Sequence, residues 1–248
     1  MPLHPLARQF AGLADVYERG RPDYPAAVID TLIAELDLSA GAPVLDLAAG
    51  TGKLTRALVA AGLDVTAVEP LEPLRAVLAD SVGAGRAHDG VAEQIPFEDG
   101  AFAAVTAADA FHWFDPDPAL AEMRRVLAPG GRLALISTIP DWGDAPWGAE
   151  LGALLTGMRA EHPYFDGPPW RDTIAAAPGW TAPRRVKVTT RQGLGPARIA
   201  DYVRSMSWVA ALAEPARTRM LARVEALVAT GTPDTLAIHA VMWLSARD

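Results

Sequence analysis

The 248-residue chain is half apolar, carries a formal net charge of −8, and contains no cysteine. That length fits one large α/β domain with a sizeable core, and the acidic balance without a basic run disfavours nucleic acid or an anionic membrane surface as partner. Disulfides, cysteine nucleophiles and cysteine metal sites are excluded. No apolar run approaches the ~18 residues that span a bilayer, and the start lacks a secretory pattern, so a cytoplasmic protein is expected.

Residues 1–24 show little apolar periodicity but contain YERGRPDYP, and read as an N-terminal arm. PAAVIDTLIAEL then sets Val28, Ile29, Leu32, Ile33 and Leu36 at helical spacing. APVLDL, 42–47, reads as a short buried strand, and KLTRALVAAG as a helix stopped by Gly62. LDVTAVE, 63–69, is a second strand, followed by a helix over 71–80. A third strand is expected at 86–91 and a fourth at 101–109. PALAEMRRVL is a helix, APGG a turn, and RLALIST, 132–138, a fifth strand. This alternation predicts a doubly wound parallel sheet with helices on both faces, and a ligand beyond the carboxyl ends of its strands.

After residue 139 the rhythm changes. A helix is expected near 147–160, a strand at 184–191, two or three helices over 196–230, and a last strand at 235–246. No linker is visible, so 1–248 reads as one domain: arm 1–24, core 25–138, and cap segments 139–183 and 194–232. The late helices are expected to pack over the ligand crevice together with the arm.

The first strand runs into DLAAGTGKLT. Gly50 and Gly52 let this loop approach a ligand, with helix N–H groups aimed at it. A P-loop is excluded, because Gly52-Lys53 is followed by leucine and position 47 is leucine. A dinucleotide loop is an imperfect match, with Thr55 at its third glycine. Asp46 would repel a pyrophosphate and suits a cationic ligand end. Glu69, closing the second strand, can accept both hydroxyls of a ribose.

VLDLAAGTG, VTAVEP, GVAEQIPFEDGAFAAVTAADAFHWF and EMRRVLAPGGRLALI together resemble the class I S-adenosylmethionine (SAM)-dependent methyltransferases. The arm YERGRPDYP and the AFHWFD segment are similar to a small-molecule branch that includes trans-aconitate methyltransferase-like enzymes. The resemblance implies a seven-stranded, mostly parallel sheet with an antiparallel last strand, and SAM as cofactor. It places Asp46, Ala48, Gly50 and Gly52 around the methionine part, and Glu69 on the ribose. It sets Pro70 and Leu71 against the adenine, Ala92 and Glu93 at its edge, and Ala108 and Asp109 near the sulfonium. Tyr17 and Arg21 would close the site from the arm, with Arg21 a partner for the methionine carboxylate. Ala48 stands where the family usually has glycine, which is tolerable at negative φ.

His112 follows the fourth strand, next to the transferred methyl in this fold. It can serve as a general base, a role suited to an ordinary pKa of about 6.5, or as part of the wall. Trp113, Trp142, Trp147, Tyr164, Trp170 and Trp208 are candidates for an aromatic substrate pocket. Arg159, His162 and Arg171 are candidates for meeting an acidic substrate. DAFH at this position departs from the N/D-P-P-Y/F of many enzymes that methylate base amines. Asp109, Asp141 and Asp144 end strands four and five, where catechol methylation places metal-binding acids; no asparagine accompanies them, and no metal is expected. The expected reaction is methyl transfer to a small organic acceptor, at a hydroxyl or carboxylate oxygen. The same fold also suits a SAM-assisted cyclisation, rearrangement or decarboxylation, and an NAD-dependent oxidoreductase is the remaining reading.

Overall fold

The computed structural model describes residues 3–159 and 161–248. Seven strands form one sheet: β1 (Pro43–Leu47), β2 (Asp64–Val68), β3 (Ala87–His88), β4 (Phe102–Ala108), β5 (Leu127–Pro140), β6 (Arg184–Gln192) and β7 (Leu236–Ala246). Their order is β3-β2-β1-β4-β5-β7-β6. β1 to β5 pair in parallel, and β7 runs antiparallel between β5 and β6. Strand order reverses between β1 and β4. That junction opens a crevice at the carboxyl ends of the strands.

Period-two alternation sorts the sheet residues between two cores. Leu45, Leu47, Val105, Leu133 and Leu135 face one side, where Leu120 and Met123 of the helix Pro116–Val126 cover them. Val44, Ala104, Ala134 and Ile136 face the other, under the helices Ala26–Leu36 and Lys53–Ala60. Leu32 and Leu58, predicted inward from helical spacing, are fully buried. Each such side chain contributes roughly 2 kcal/mol of apolar transfer. A third cluster joins the helices Gly148–Met158, Pro196–Arg204 and Glu214–Val228 to β7 through Leu151, Ile199, Val203, Val224 and Leu236.

Two local expectations change, and the arm gains elements that its spacing did not show. The third strand shrinks to Ala87–His88, and Gly90 and Val91 leave the sheet to line the crevice. APGG is not a turn before a strand but a bulge inside β5, since Phe102 pairs with Leu127 and Ala104 with Arg132. Gly130 takes φ 75° there. The arm is ordered: residues Ala7–Gly12 form a 3-10 segment and Ala14–Gly20 a helix. Their stability comes from tertiary packing, which their own spacing does not advertise. Among the described residues, no helix is long and apolar enough to cross a membrane.

The arm helix lies on the helix Pro196–Arg204. Arg19 pairs with Asp201 at 2.8 Å, and Arg21 Nε donates to Ser205 Oγ at 2.8 Å. Gly20 makes this approach possible: a Cβ there would sit 2.4 Å from the Tyr202 nitrogen. Gly20→Ala is expected to push the arm off and cost about 2 kcal/mol by overpacking. Urea denaturation measures the loss, and limited proteolysis should show earlier cleavage within the arm; an unchanged midpoint would contradict the packing argument.

Candidate active site

The loop between β1 and the helix Lys53–Ala60 turns through three left-handed residues, Ala48 at φ 51°, Gly50 at 59° and Gly52 at 85°. Ala48 thus departs from the negative φ expected of it. A Cβ in this region costs roughly 1–2 kcal/mol, so the loop is held there by its surroundings. Two bonds do so: Ala49 N–H donates to the Val68 carbonyl at 3.1 Å, and Gly50 N–H donates to Glu69 Oε2 at 2.9 Å. Glu69 Oε1 accepts from Leu71 N–H at 2.9 Å. Burial of this carboxyl raises its pKa to about 7, although both N–H donors and Arg75 favour the charged form. Asp46 is buried behind the loop. Its oxygens accept from Thr55 Oγ1 at 2.7 Å and Thr106 Oγ1 at 3.0 Å, and burial raises its pKa to about 6.

Ten of the residues that the resemblance assigns to the cofactor line the crevice: Tyr17, Ala48, Gly50, Glu69, Pro70, Leu71, Ala92, Glu93, Ala108 and Asp109. Arg21 and Asp46 instead line a small recess that adjoins it through Tyr17, Ala48, Ala108 and Asp109. The Asp46 oxygens are tied to threonines, so its charge reaches this recess without the free carboxylate that the sequence suggested. Gly52 lines neither space; a Cβ there would strike Leu78 at 2.6 Å, so it serves helix packing and the turn. Glu93 Oε1 accepts from Asp115 N–H at 2.8 Å, which commits one oxygen to the next helix start. Asp109 is itself left-handed, at φ 52°, and its carboxylate accepts from the Thr138 N–H and hydroxyl. Burial pushes its pKa up.

A second cavity of about 430 Å³ lies under the cap. Tyr17, Arg21, Asp109, His112, Trp113, Trp142, Arg159, His162, Tyr164 and Trp208 are among its walls. Phe10, Tyr17, Asp109 and Trp113 line both this cavity and the crevice. Two of the six proposed pocket aromatics stand elsewhere. Trp147 packs in the cap core and its Nε1 donates to Thr232 Oγ1 at 3.2 Å. Trp170 stands behind the wall, 5.8 Å from Phe111 and 5.9 Å from Tyr164 by ring centres.

His112 lies 4.4 Å from Trp113 and 5.4 Å from His162 by ring centres. Its Nδ1 is buried, and no group among the described residues bonds it. Burial, with the fields of His162 and Arg21, holds its pKa well below the ordinary value. The ring is therefore neutral, as the sequence reading took it, but more weakly basic than the ordinary imidazole that a general base calls for. His162 Nδ1 accepts from Tyr164 N–H at 3.2 Å, so the proton sits on Nε2, 3.2 Å from Ser207 Oγ. Burial lowers its pKa to about 4, and it presents no charge to a ligand. Arg171 pairs with Asp172 on the surface, away from the cavity. Asp141 lies near His239 and Asp144 near Arg191, apart from Asp109.

Sequence reasoning missed Phe10, Thr138 and Tyr202. Thr138 was open to detection, because it closes the fifth strand expected from the sequence at 132–138. Tyr202 lies on an amphipathic helix whose inward face was not resolved from its outward one. Phe10 sits in an arm without periodicity and gave no signal.

Residues 45–135 match a family model described as a methyltransferase domain. An uncharacterized methyltransferase of Mycobacterium tuberculosis is 39% identical over 225 residues, 91% of this chain and 87% of its own. A demethylmenaquinone methyltransferase of Thermus thermophilus is 41% identical over 104 residues, 39% of this chain and 47% of its own. A solved structure from Anaeromyxobacter dehalogenans, a candidate type II methyltransferase, superposes with a TM-score of 0.63 at 23% identity, over 92% of this chain and 97% of its own. The structural likeness speaks for the fold; the sequence match along most of both chains carries the family, and the chain belongs to the class I SAM-dependent methyltransferases.

Proposed function

We propose that the enzyme transfers the methyl group of SAM to a hydroxyl or carboxylate oxygen of a small organic acceptor, as a member of the branch that includes trans-aconitate methyltransferase-like enzymes. One observation carries this reading: the crevice and the large cavity share a wall of Phe10, Tyr17, Asp109 and Trp113. Ligands on its two sides would meet there, oriented and shielded from water. In the same reading the arm 1–24, the core 25–138 and the cap segments 139–183 and 194–232 act as one unit, because each contributes to these walls.

Bound SAM supplies a methyl group on a positively charged sulfur. The residues present fit it. Glu69 spends only one bond per oxygen on backbone donors, leaving acceptor capacity for two ribose hydroxyls. Leu71, Leu74, Ala92 and Phe114 offer an apolar slot for adenine. Arg21 and the charge of Asp46 border the recess suited to an amino-acid end. Held by these residues, SAM would supply its methyl carbon to the acceptor oxygen, with sulfur keeping the electron pair of the carbon–sulfur bond. His112, kept neutral, accepts a hydrogen bond from an acceptor hydroxyl and orients it; that hydroxyl's proton passes out to bulk solvent through the large cavity, and a carboxylate acceptor has none to lose. The charge of −8 supports a small molecule over a nucleic acid or membrane partner. A non-methylating reaction at this site is not favoured.

Glu69→Ala should weaken binding of the demethylated cofactor about 10- to 100-fold by calorimetry. Unchanged affinity would remove the ribose assignment. The pH dependence follows from the Glu69 pKa, raised from 4.5 to about 7. The free fold favours the protonated carboxyl, so its contribution to stability is full below 4.5 and is lost as pH rises to about 7. Ribose binding instead needs the carboxylate, so affinity should climb through that pH. Glu69→Gln should flatten both curves in urea titrations and calorimetry run across the range; persistence of both slopes would assign them to another group. His112→Ala should raise the acceptor KM several-fold with little change in kcat. A hundred-fold fall in kcat at constant KM would make it the base.

A further inference from the structure

The large cavity is uneven in both charge and shape. Arg21 and Arg159 are its lining cations, and Asp109 is its one lining carboxylate among the described residues. Asp109 is already bonded twice to Thr138. Both lining histidines are neutral, for the reasons given above. Arg21 belongs to the cofactor side: it also lines the recess beside Asp46, and its Nε and Nη2 donate to Ser205. Its guanidinium lies 5.0 Å from the Tyr17 ring centre and 4.8 Å from that of Tyr202.

Arg159 is different. It lines the large cavity but neither the crevice nor the recess. Its guanidinium carbon lies 4.2 Å from the centre of the Phe165 ring, and Phe165 is 57% exposed, which marks this end as the mouth. A guanidinium carries five N–H donors, and its planar fork matches the geometry of a carboxylate. One Nη2 reaches Asp166 at 3.3 Å; the fork still has donors to offer. The rings of Trp142, Tyr202 and Trp208 line the cavity beside Trp113 of the shared wall, with Trp142 and Tyr202 set edge to face at 5.4 Å. Such rings favour a flat ring over a flexible chain. The volume, about 430 Å³, lies within the ordinary range of ligand pockets.

We propose that the acceptor is a planar aromatic hydroxy acid, its ring held among the cap aromatics, its carboxylate met by Arg159 at the mouth, and its hydroxyl at the Asp109 wall. This rests on the methyl-transfer reading for the role of the hydroxyl, but the binding of the ring and carboxylate stands apart from it. A carboxylate on the Arg159 fork forms charge-assisted, bidentate hydrogen bonds, stronger than those of a neutral partner.

The test is calorimetry on the full chain saturated with demethylated cofactor, using three probes: a hydroxynaphthoate, the matching neutral naphthol, and decanoate. The hydroxynaphthoate should bind at least about ten-fold tighter than either of the others. Arg159→Leu should erase its advantage over naphthol while leaving the affinities for naphthol and SAM unchanged, and Arg159→Lys should keep part of it. Equal binding of naphthol, equal binding of decanoate, or a preference that survives Arg159→Leu would overturn the proposal. The probe comparison in the unmutated chain decides even where a variant fails to fold. Mass analysis of the probe after incubation with SAM is a separate readout. Tight, Arg159-dependent binding with no added methyl would support the pocket assignment and count against the transfer reading instead.

Discussion

Burying two carboxyl groups at the ends of adjacent parallel strands is the constraint on which this site depends. Asp46 closes on β1 and Glu69 follows β2, and both are almost wholly removed from water. Burial opposes their charge, so each needs donors placed by the fold. Thr55 and Thr106 serve Asp46 from the following helix and the neighbouring strand. The backbone of Gly50 and Leu71 serves Glu69. These bonds tie β1, β2, β4 and the glycine loop into one rigid edge. They also hold Ala48 in a backbone region that alanine avoids. Loop shape is therefore a property of the carboxylates around it as much as of its glycines.

The cap and the arm add what the sheet lacks. A strand-end crevice is open by construction, and a reactive cofactor in it would face water. Here the arm helix is seated on the helix Pro196–Arg204 through a glycine contact and the Arg21–Ser205 bonds. That seating brings Phe10 and Tyr17 over the strand ends. The cap then encloses the second cavity on the far side of the same residues. The division of labour is plain: the sheet fixes the carboxylates, and the late helices with the arm fix the boundary between two ligands.

Much of this was legible before the structure. Period-two strands and 3.6-residue helices sorted the core correctly, because the two sides of a buried parallel sheet differ only in which alternate residues face each helix layer. The crevice residues were legible for another reason. The glycines and the two acids left several ligand classes open, and four motifs resembling one family placed the remaining crevice residues. The aromatic cap was not legible residue by residue. Trp142 and Trp147 are both surrounded by Gly, Pro and Asp, yet one faces the cavity and the other the cap core. That outcome is set by packing against residues far along the chain, including Thr232 and Tyr202. Charge state was equally hidden. His112 and His162 are ordinary imidazoles as letters, and only burial makes them neutral and weakly basic.

The sheet's two ends also decide how the molecule treats its neighbours. One edge is β3, two residues long, too short to template another strand. The other is β6, nine residues, long enough to do so. Along β6 the residues facing out of the sheet are Arg185, Lys187, Thr189 and Arg191, while Val186 and Val188 turn inward. A second copy adding a strand there in register would bring like charges into line across a narrow gap, which sheets resist. Crowded copies thus meet one short edge and one positively charged one. Strand length at one edge and the sign of a few side chains at the other disfavour ladder-like pairing along this sheet.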